Sequence, residues 1–213
     1  MPPQLYYITD RRQFPGDARE QERRLLAKIA ECVAVGVDYI QLREKDLSAR
    51  ALEELAHRAM AAVRGSSSKL LINSRTDVAL ACGAHGVQLP ANDLSASEVR
   101  VIFDRVSVAS PLIAVSAHSV KDVEHAESHG ADFAVFAPVF EKEGAANREG
   151  LNQLRQICNR VPARAPAMPV FALGGVTLEN ARLCLEAGAA GIAGIRLFQE
   201  GGPLDVVTAL RGK

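Results

Sequence analysis

The 213-residue sequence has no tryptophan, and aromatic residues make up only 5% of it. A core for a chain this long must therefore come from Ala, Val, Leu and Ile, which suits helices packed on a parallel sheet. Cysteine is scarce. Cys32, Cys82, Cys158 and Cys184 are far apart, with no CxxC pair, so they read as buried, reduced thiols of a cytoplasmic protein rather than metal ligands. No apolar run approaches the roughly 18 residues of a membrane span. The opening MPPQLYYITD lacks the charged-then-apolar pattern of an export signal. Neither sign of charge dominates: Lys plus Arg and Asp plus Glu each total 25, with no basic block, which argues against a nucleic-acid partner. Also missing are a GxGxxG after the first strand-like run, a Ser-His-Asp or Cys-His set for covalent catalysis, and a clear pair of acids at strand ends for glycoside hydrolysis. No linker or low-complexity stretch interrupts the chain, so residues 1–213 are expected to form a single domain.

What the chain has is one recurring unit: a short apolar run, a polar break, then an amphipathic stretch. The strand-like runs are Leu5–Thr9, Tyr39–Leu42, Leu70–Asn73, Gly86–Leu89, Leu112–Ser116, Phe133–Ala137, Val170–Leu173 and Gly191–Ile195. Between them, Arg23–Val35, Arg50–Val63, Val120–His129 and Leu178–Ala187 carry apolar residues at three- and four-residue spacing. Ser95-Ala-Ser-Glu98 is a capping-box pattern, and Ser48 and Ser119 are candidate caps. Gly36, Gly83, Gly130 and Gly188 each follow an alanine-rich stretch, as residues just past a helix end do. Eight strands alternating with helices predict an α/β fold, a single (β/α)8 TIM barrel with eight parallel strands; a doubly wound open sheet is the alternative. The chain is shorter than the roughly 250 residues typical of that barrel, so its loops must be lean.

In such a barrel chemistry sits at the C-terminal ends of the strands. Gln41-Leu-Arg43-Glu-Lys45 after the second strand suits a diphosphate, or is an ordinary charged loop. Asn73 binds a ligand or caps a helix. Gln88-Leu-Pro-Ala-Asn-Asp93 offers Mg²⁺ oxygen ligands or a turn. Ser116-Ala-His118 puts a hydroxyl and an imidazole at the fifth mouth, and Glu141-Lys142-Glu reads as a loop over the site. Near the C-terminus, Leu173-Gly174-Gly175 and Gly194-Ile195-Arg196 lie about 20 residues apart, the spacing of a barrel's phosphate loops. Paired glycines let backbone N–H groups approach a ligand, and Thr177 is placed to cap a helix aimed at the same point. A plain tight turn explains Gly174-Gly175 equally well.

Taken together, Tyr7-Ile-Thr-Asp10, Gln41-Leu-Arg-Glu-Lys-Asp46, Ile72-Asn73, Asp77-Val-Ala-Leu80, Gly86-Val-Gln-Leu89, Ser116-Ala-His-Ser119, Pro138-Val-Phe140 and Leu173-Gly-Gly-Val-Thr177 resemble the thiamine-phosphate synthase family and its relative, the thiazole tautomerase. The resemblance implies an enzyme of thiamine biosynthesis. It would join hydroxymethylpyrimidine diphosphate to a thiazole phosphate and release pyrophosphate, with Mg²⁺ as cofactor. Its substrates are then small phosphorylated molecules, and a homodimer is compatible with it. It assigns Gln41, Arg43, Lys45 and Asn73 to the pyrimidine diphosphate, Ser116 to the diphosphate, Asp93 to Mg²⁺, and Gly174, Gly175, Gly194 and Ile195 to the thiazole phosphate. Arg43, Lys45 and Ser116 are the expected catalytic groups. The family pattern also shows departures. An acid after Asn73 is replaced by Ser74. The threonine-lysine clamp after strand six leaves only Lys142. The strand-eight serine is Arg196, which either strengthens phosphate binding or fills the pocket. Gln88-Leu-Pro90 resembles the tautomerase branch, yet Pro138 stands where that branch has its working histidine.

Overall fold

The computed structural model describes residues 2–106, 110–141, 148–160 and 166–212. Its strands follow the apolar runs: β1 (Gln4–Ile8), β2 (Tyr39–Leu42), β3 (Lys69–Asn73), β4 (Gly86–Leu89), β5 (Leu112–Ala117), β6 (Phe133–Phe136), β7 (Val170–Ala172) and β8 (Gly191–Gly194). They close a parallel barrel in sequence order. Registers such as Tyr6 opposite Tyr39, Gln41 opposite Leu71 and Ser116 opposite Val135 set which side chains share a face. The open sheet is thereby excluded.

The helices are α1 (Ala18–Ala34), α2 (Ala49–Val63), α3 (Thr76–Cys82), α4 (Ala96–Arg105), α5 (Val120–Ser128), α6 (Arg148–Cys158), α7 (Ala181–Glu186), α8 (Arg196–Gln199) and α9 (Pro203–Arg211), with a 3-10 turn at Arg11–Gln13. Ser48, Ser95 and Ser119 each accept the N–H three residues on, and Ser95 with Glu98 completes the capping box. Two boundaries differ from expectation. Helix α1 starts at Ala18, because Asp17 caps it and Glu20 binds Arg23 and Arg24; that first turn is too polar to show apolar periodicity. Helix α7 starts only at Ala181, so Thr177 is no cap. There the Asn180 side chain accepts the Thr177 N–H at 2.8 Å and donates to the Gly175 carbonyl at 3.0 Å, making a turn of what reads as a first helical turn.

The chain packs as two compact units. The first, Gln4–Val87 with Gly194–Lys213, holds β1 to β3 and α8 and α9. Tyr7 on β1 meets Phe198 of α8 with ring centroids 5.7 Å apart, on the helix side of the sheet. On the opposite face Tyr6 meets Tyr39 edge-on at 5.8 Å, and Gln41 donates to the Tyr6 hydroxyl at 3.1 Å. Asp38 accepts the Leu5 N–H at 2.7 Å and pairs with Arg211, which also donates to the Gly36 carbonyl at 2.8 Å. The second unit, Gln88–Ala193 with Met1–Pro3, centres on β5 to β7, where the tilted rings of Phe133 and Phe171 meet with centroids 4.8 Å apart. Buried Glu127 accepts the Met168 N–H at 2.9 Å and pairs with Arg160 at 3.1 Å. Each fully buried Leu, Ile or Phe contributes about 1.5–3 kcal/mol. No helix among the described residues is long and apolar enough to cross a membrane.

Candidate active site

In the first unit, β2 delivers Gln41, Arg43, Glu44, Lys45 and Asp46 to a strand mouth. Gln41 is buried, its amide nitrogen committed to Tyr6. The Tyr6 hydroxyl is pushed well above its ordinary pKa by burial, partly offset by that bond, and stays neutral. Arg43 is half-buried and Lys45 exposed, and among the described residues neither is joined to an acid by an ion pair. Their neighbouring acids are engaged elsewhere. Glu44, 4% exposed, accepts the Thr9 hydroxyl at 2.6 Å, the Arg11 N–H at 3.1 Å and the Arg11 guanidinium at 3.0 Å. Asp46 takes both terminal nitrogens of Arg11, at 2.7 and 2.8 Å. Burial raises the Glu44 carboxyl against the opposing pull of Thr9 and Arg11, whereas the Arg11 guanidinium holds Asp46 below the usual carboxylate range.

At the end of β3, Asn73 donates to the Ser74 hydroxyl at 3.1 Å. Ser74 has φ 61, the left-handed region that non-glycine residues rarely occupy. After β8 come Gly194, where a Cβ would lie 2.9 Å from that of Leu197, then half-buried Ile195 and exposed Arg196, the first residue of α8. Arg196 is exposed, so it does not fill a pocket.

In the second unit, buried Gln88 on β4 donates to the Ser116 hydroxyl on β5 at 3.2 Å, orienting that oxygen. Asp93 is exposed, with one carboxylate oxygen on the Leu94 N–H at 2.8 Å. No cluster of three His, Cys, Asp or Glu suited to a metal occurs among the described residues. A single exposed carboxylate still fits Mg²⁺, which uses one or two carboxylates together with substrate phosphates. His118 contacts the Ala137 carbonyl at 2.7 Å through Nδ1. A carbonyl only accepts, so Nδ1 is the donor in this contact.

Gly174 and Gly175 adopt φ 94 and 61 after β7. Their tight fit is to the chain itself: the Gly174 carbonyl accepts the Phe140 N–H at 3.0 Å, and a Cβ on Gly174 would lie 2.8 Å from the Pro138 Cα. The glycines thus have a packing role that spacing alone did not disclose. Lys142 lies outside the described residues.

The four cysteines are free, and burial pushes the thiols of Cys32 and Cys184 up to about 12 and that of Cys158 to about 11, so they are poor nucleophiles. Sequence reasoning overlooked Thr9, Arg11 and Gln199. Gln199 brackets Asp10, with its Oε1 accepting the Asp10 N–H and its Nε2 donating to the Asp10 carbonyl, both at 3.0 Å. Their partners lie 33 to 189 positions away, beyond any local pattern.

The family model for thiamine monophosphate synthase matches residues 5–198. A thiamine-phosphate synthase of Methanoculleus marisnigri is 35% identical over 210 residues, covering 97% of this chain and 92% of that protein. One of Halalkalibacterium halodurans is 34% identical over 188 residues, covering 87% and 82%. Among solved structures, thiamine phosphate pyrophosphorylase from Pyrococcus furiosus superposes with TM-score 0.79 at 30% identity, covering 98% of this chain and 94% of that one. A barrel whose strand mouths carry Arg43 and Lys45, an oriented serine and glycine loops, matched across this length, belongs to the thiamine monophosphate synthase family.

Proposed function

We propose that residues 1–213 work as one thiamine-phosphate synthase domain, a transferase of thiamine biosynthesis acting on small phosphorylated pyrimidine and thiazole substrates. The observation that carries the site assignment is the pair Arg43 and Lys45, which have no acidic partner among the described residues while Glu44 and Asp46 are both held by Arg11. Two cations at a strand mouth suit a leaving diphosphate. In the reaction, the bond between the pyrimidine methylene carbon and the diphosphate oxygen breaks, and its electron pair departs with the diphosphate. The thiazole nitrogen lone pair then closes the new C–N bond.

Arg43 and Lys45 stabilise the charge growing on the diphosphate, and Ser116, its hydroxyl set by Gln88, donates to it. Gln41 and Asn73 orient the pyrimidine. The loops at Gly174-Gly175 and Gly194-Ile195, with Arg196, hold the thiazole phosphate, and Lys142 belongs to the diphosphate side. Asp93 would hold Mg²⁺, which neutralises diphosphate charge when bound. Most of the acceleration then comes from positioning and electrostatics rather than covalent catalysis. Free, unreactive cysteines support a cytoplasmic setting.

The test is direct. Pure protein with hydroxymethylpyrimidine diphosphate, thiazole phosphate and Mg²⁺ should form thiamine phosphate and pyrophosphate, and omitting Mg²⁺ should abolish turnover. Isomerisation of a thiazole carboxylate phosphate with no coupled product would overturn the reading. Pro138 supplies no base for that isomerisation.

A further inference from the structure

The loop between β1 and α1 is gripped from two directions. On one side, Thr9 and Arg11 engage the β2 segment at three of four consecutive residues. The Arg43 N–H donates to the Thr9 hydroxyl oxygen at 2.9 Å, that hydroxyl donates to Glu44 at 2.6 Å, and Arg11 bridges Glu44 and Asp46. On the other side, Asp10 is bracketed through both backbone groups by Gln199, on the short helix that Arg196 begins. Arg11 is only 7% exposed, although Asp10-Arg-Arg-Gln13 reads as a solvated charged turn.

Charge explains why an arginine is buried here. Residues 43 to 46 alternate cation, acid, cation, acid, so by themselves they sum to zero. Adding Arg11 makes the sum +1. More importantly, Arg11 occupies both acids, which would otherwise compete with an incoming anion for Arg43 and Lys45. A guanidinium can bridge two carboxylates at once, whereas an ammonium presents a point charge.

We propose that Arg11 is a positioning residue for diphosphate binding: by holding Glu44 and Asp46 it fixes the β2 segment and keeps Arg43 and Lys45 available to the anion. The proposal rests on the assignment of Arg43 and Lys45 to the diphosphate, and it is tested separately from turnover.

Calorimetry with inorganic pyrophosphate and Mg²⁺ is compared between wild type, Arg11→Lys, Arg11→Met and the triple variant Arg11→Met/Glu44→Gln/Asp46→Asn. Arg11→Met should weaken pyrophosphate binding at least tenfold, while thiazole phosphate affinity stays within about twofold. Arg11→Lys should fall between Arg11→Met and wild type. The triple variant, which removes the freed acids, should recover at least a third of wild-type pyrophosphate affinity. In turnover assays the KM for the pyrimidine diphosphate should rise more than kcat falls. Equal weakening of both ligands, tracking lost thermal stability, would overturn the proposal. So would undiminished pyrophosphate binding in Arg11→Met, or a triple variant no better than Arg11→Met. A wild type that binds pyrophosphate but makes no thiamine phosphate refutes the synthase reading alone and leaves the role of Arg11 standing or falling on the binding series.

Discussion

Gly175 lies so close to Glu141 that a Cβ on the glycine would overlap the Glu141 carbonyl oxygen and sit 2.8 Å from the Phe140 Cβ. The residue also has φ 61, so an L side chain there faces both a collision and left-handed strain. Gly175→Ala should therefore destabilise the protein by about 2 kcal/mol or more, lowering Tm by roughly 4–8 °C. Gly36 is the comparator. It has φ 80 but nothing within 4 Å of its would-be Cβ, so Gly36→Ala should show only the strain, about 1 kcal/mol. Calorimetric scans that give equal Tm shifts for the two would refute the close-packing account. Thiazole phosphate binding should fall in Gly175→Ala and hold in Gly36→Ala.

Ser74 combines a left-handed backbone with the position where the family resemblance places an acid. Aspartate tolerates that conformation better than most residues, so Ser74→Asp should fold normally and lower the Mg²⁺ concentration for half-maximal rate several-fold. Ser74→Gly should raise Tm by a few degrees without changing the Mg²⁺ requirement. A Mg²⁺ titration unchanged in Ser74→Asp would place the metal away from this turn.

Arg43→Ala and Lys45→Ala should each lower kcat/KM by about 100- to 1000-fold, the range for losing one preorganised contact to developing charge. Both side chains lie at least partly in solvent, so Tm should change by less than about 2 °C. Loss of activity in proportion to lost stability would instead make them structural.

His85 adds to the loss of stability in acid. Its Nδ1 accepts the Leu70 N–H at 3.1 Å, and burial, with Lys69 nearby, lowers its pKa. Below about pH 6.5 the unfolded chain binds a proton at this ring that the folded ring still refuses. Stability from this group is thus complete above pH 6.5 and declines as the pH falls toward the folded value. The slope is at most about 1.4 kcal/mol per pH unit. Asn has a non-titrating oxygen for the same N–H, so Tm measured from pH 7.5 to 5 should fall less steeply in His85→Asn than in wild type.

The barrel was readable from the sequence because its signals are local. Each strand lies within one residue of an apolar run at either end, and Ser48, Ser95 and Ser119 cap as their spacing implies. The residues that shape the site were not readable in that way. Arg11 looks like any loop arginine until Glu44 and Asp46 are folded against it, and Gln199 becomes meaningful only beside Asp10, 189 positions away. The failure at Thr177 has a local origin instead, since the Asn180 side chain, three residues on, competes with helix formation for the same backbone groups.

The bond from the Leu5 N–H to Asp38, and the pairing of Asp38 with Arg211, bear on how the chain matures on the ribosome. The acid that receives the Leu5 N–H of strand β1 is balanced by a cation made about 170 residues later. At roughly 5–20 residues per second, that is an interval of about 9–35 seconds before the pair of Asp38 with Arg211 can form. During synthesis the acid that receives the Leu5 N–H is therefore neutralised only after α9 has been made.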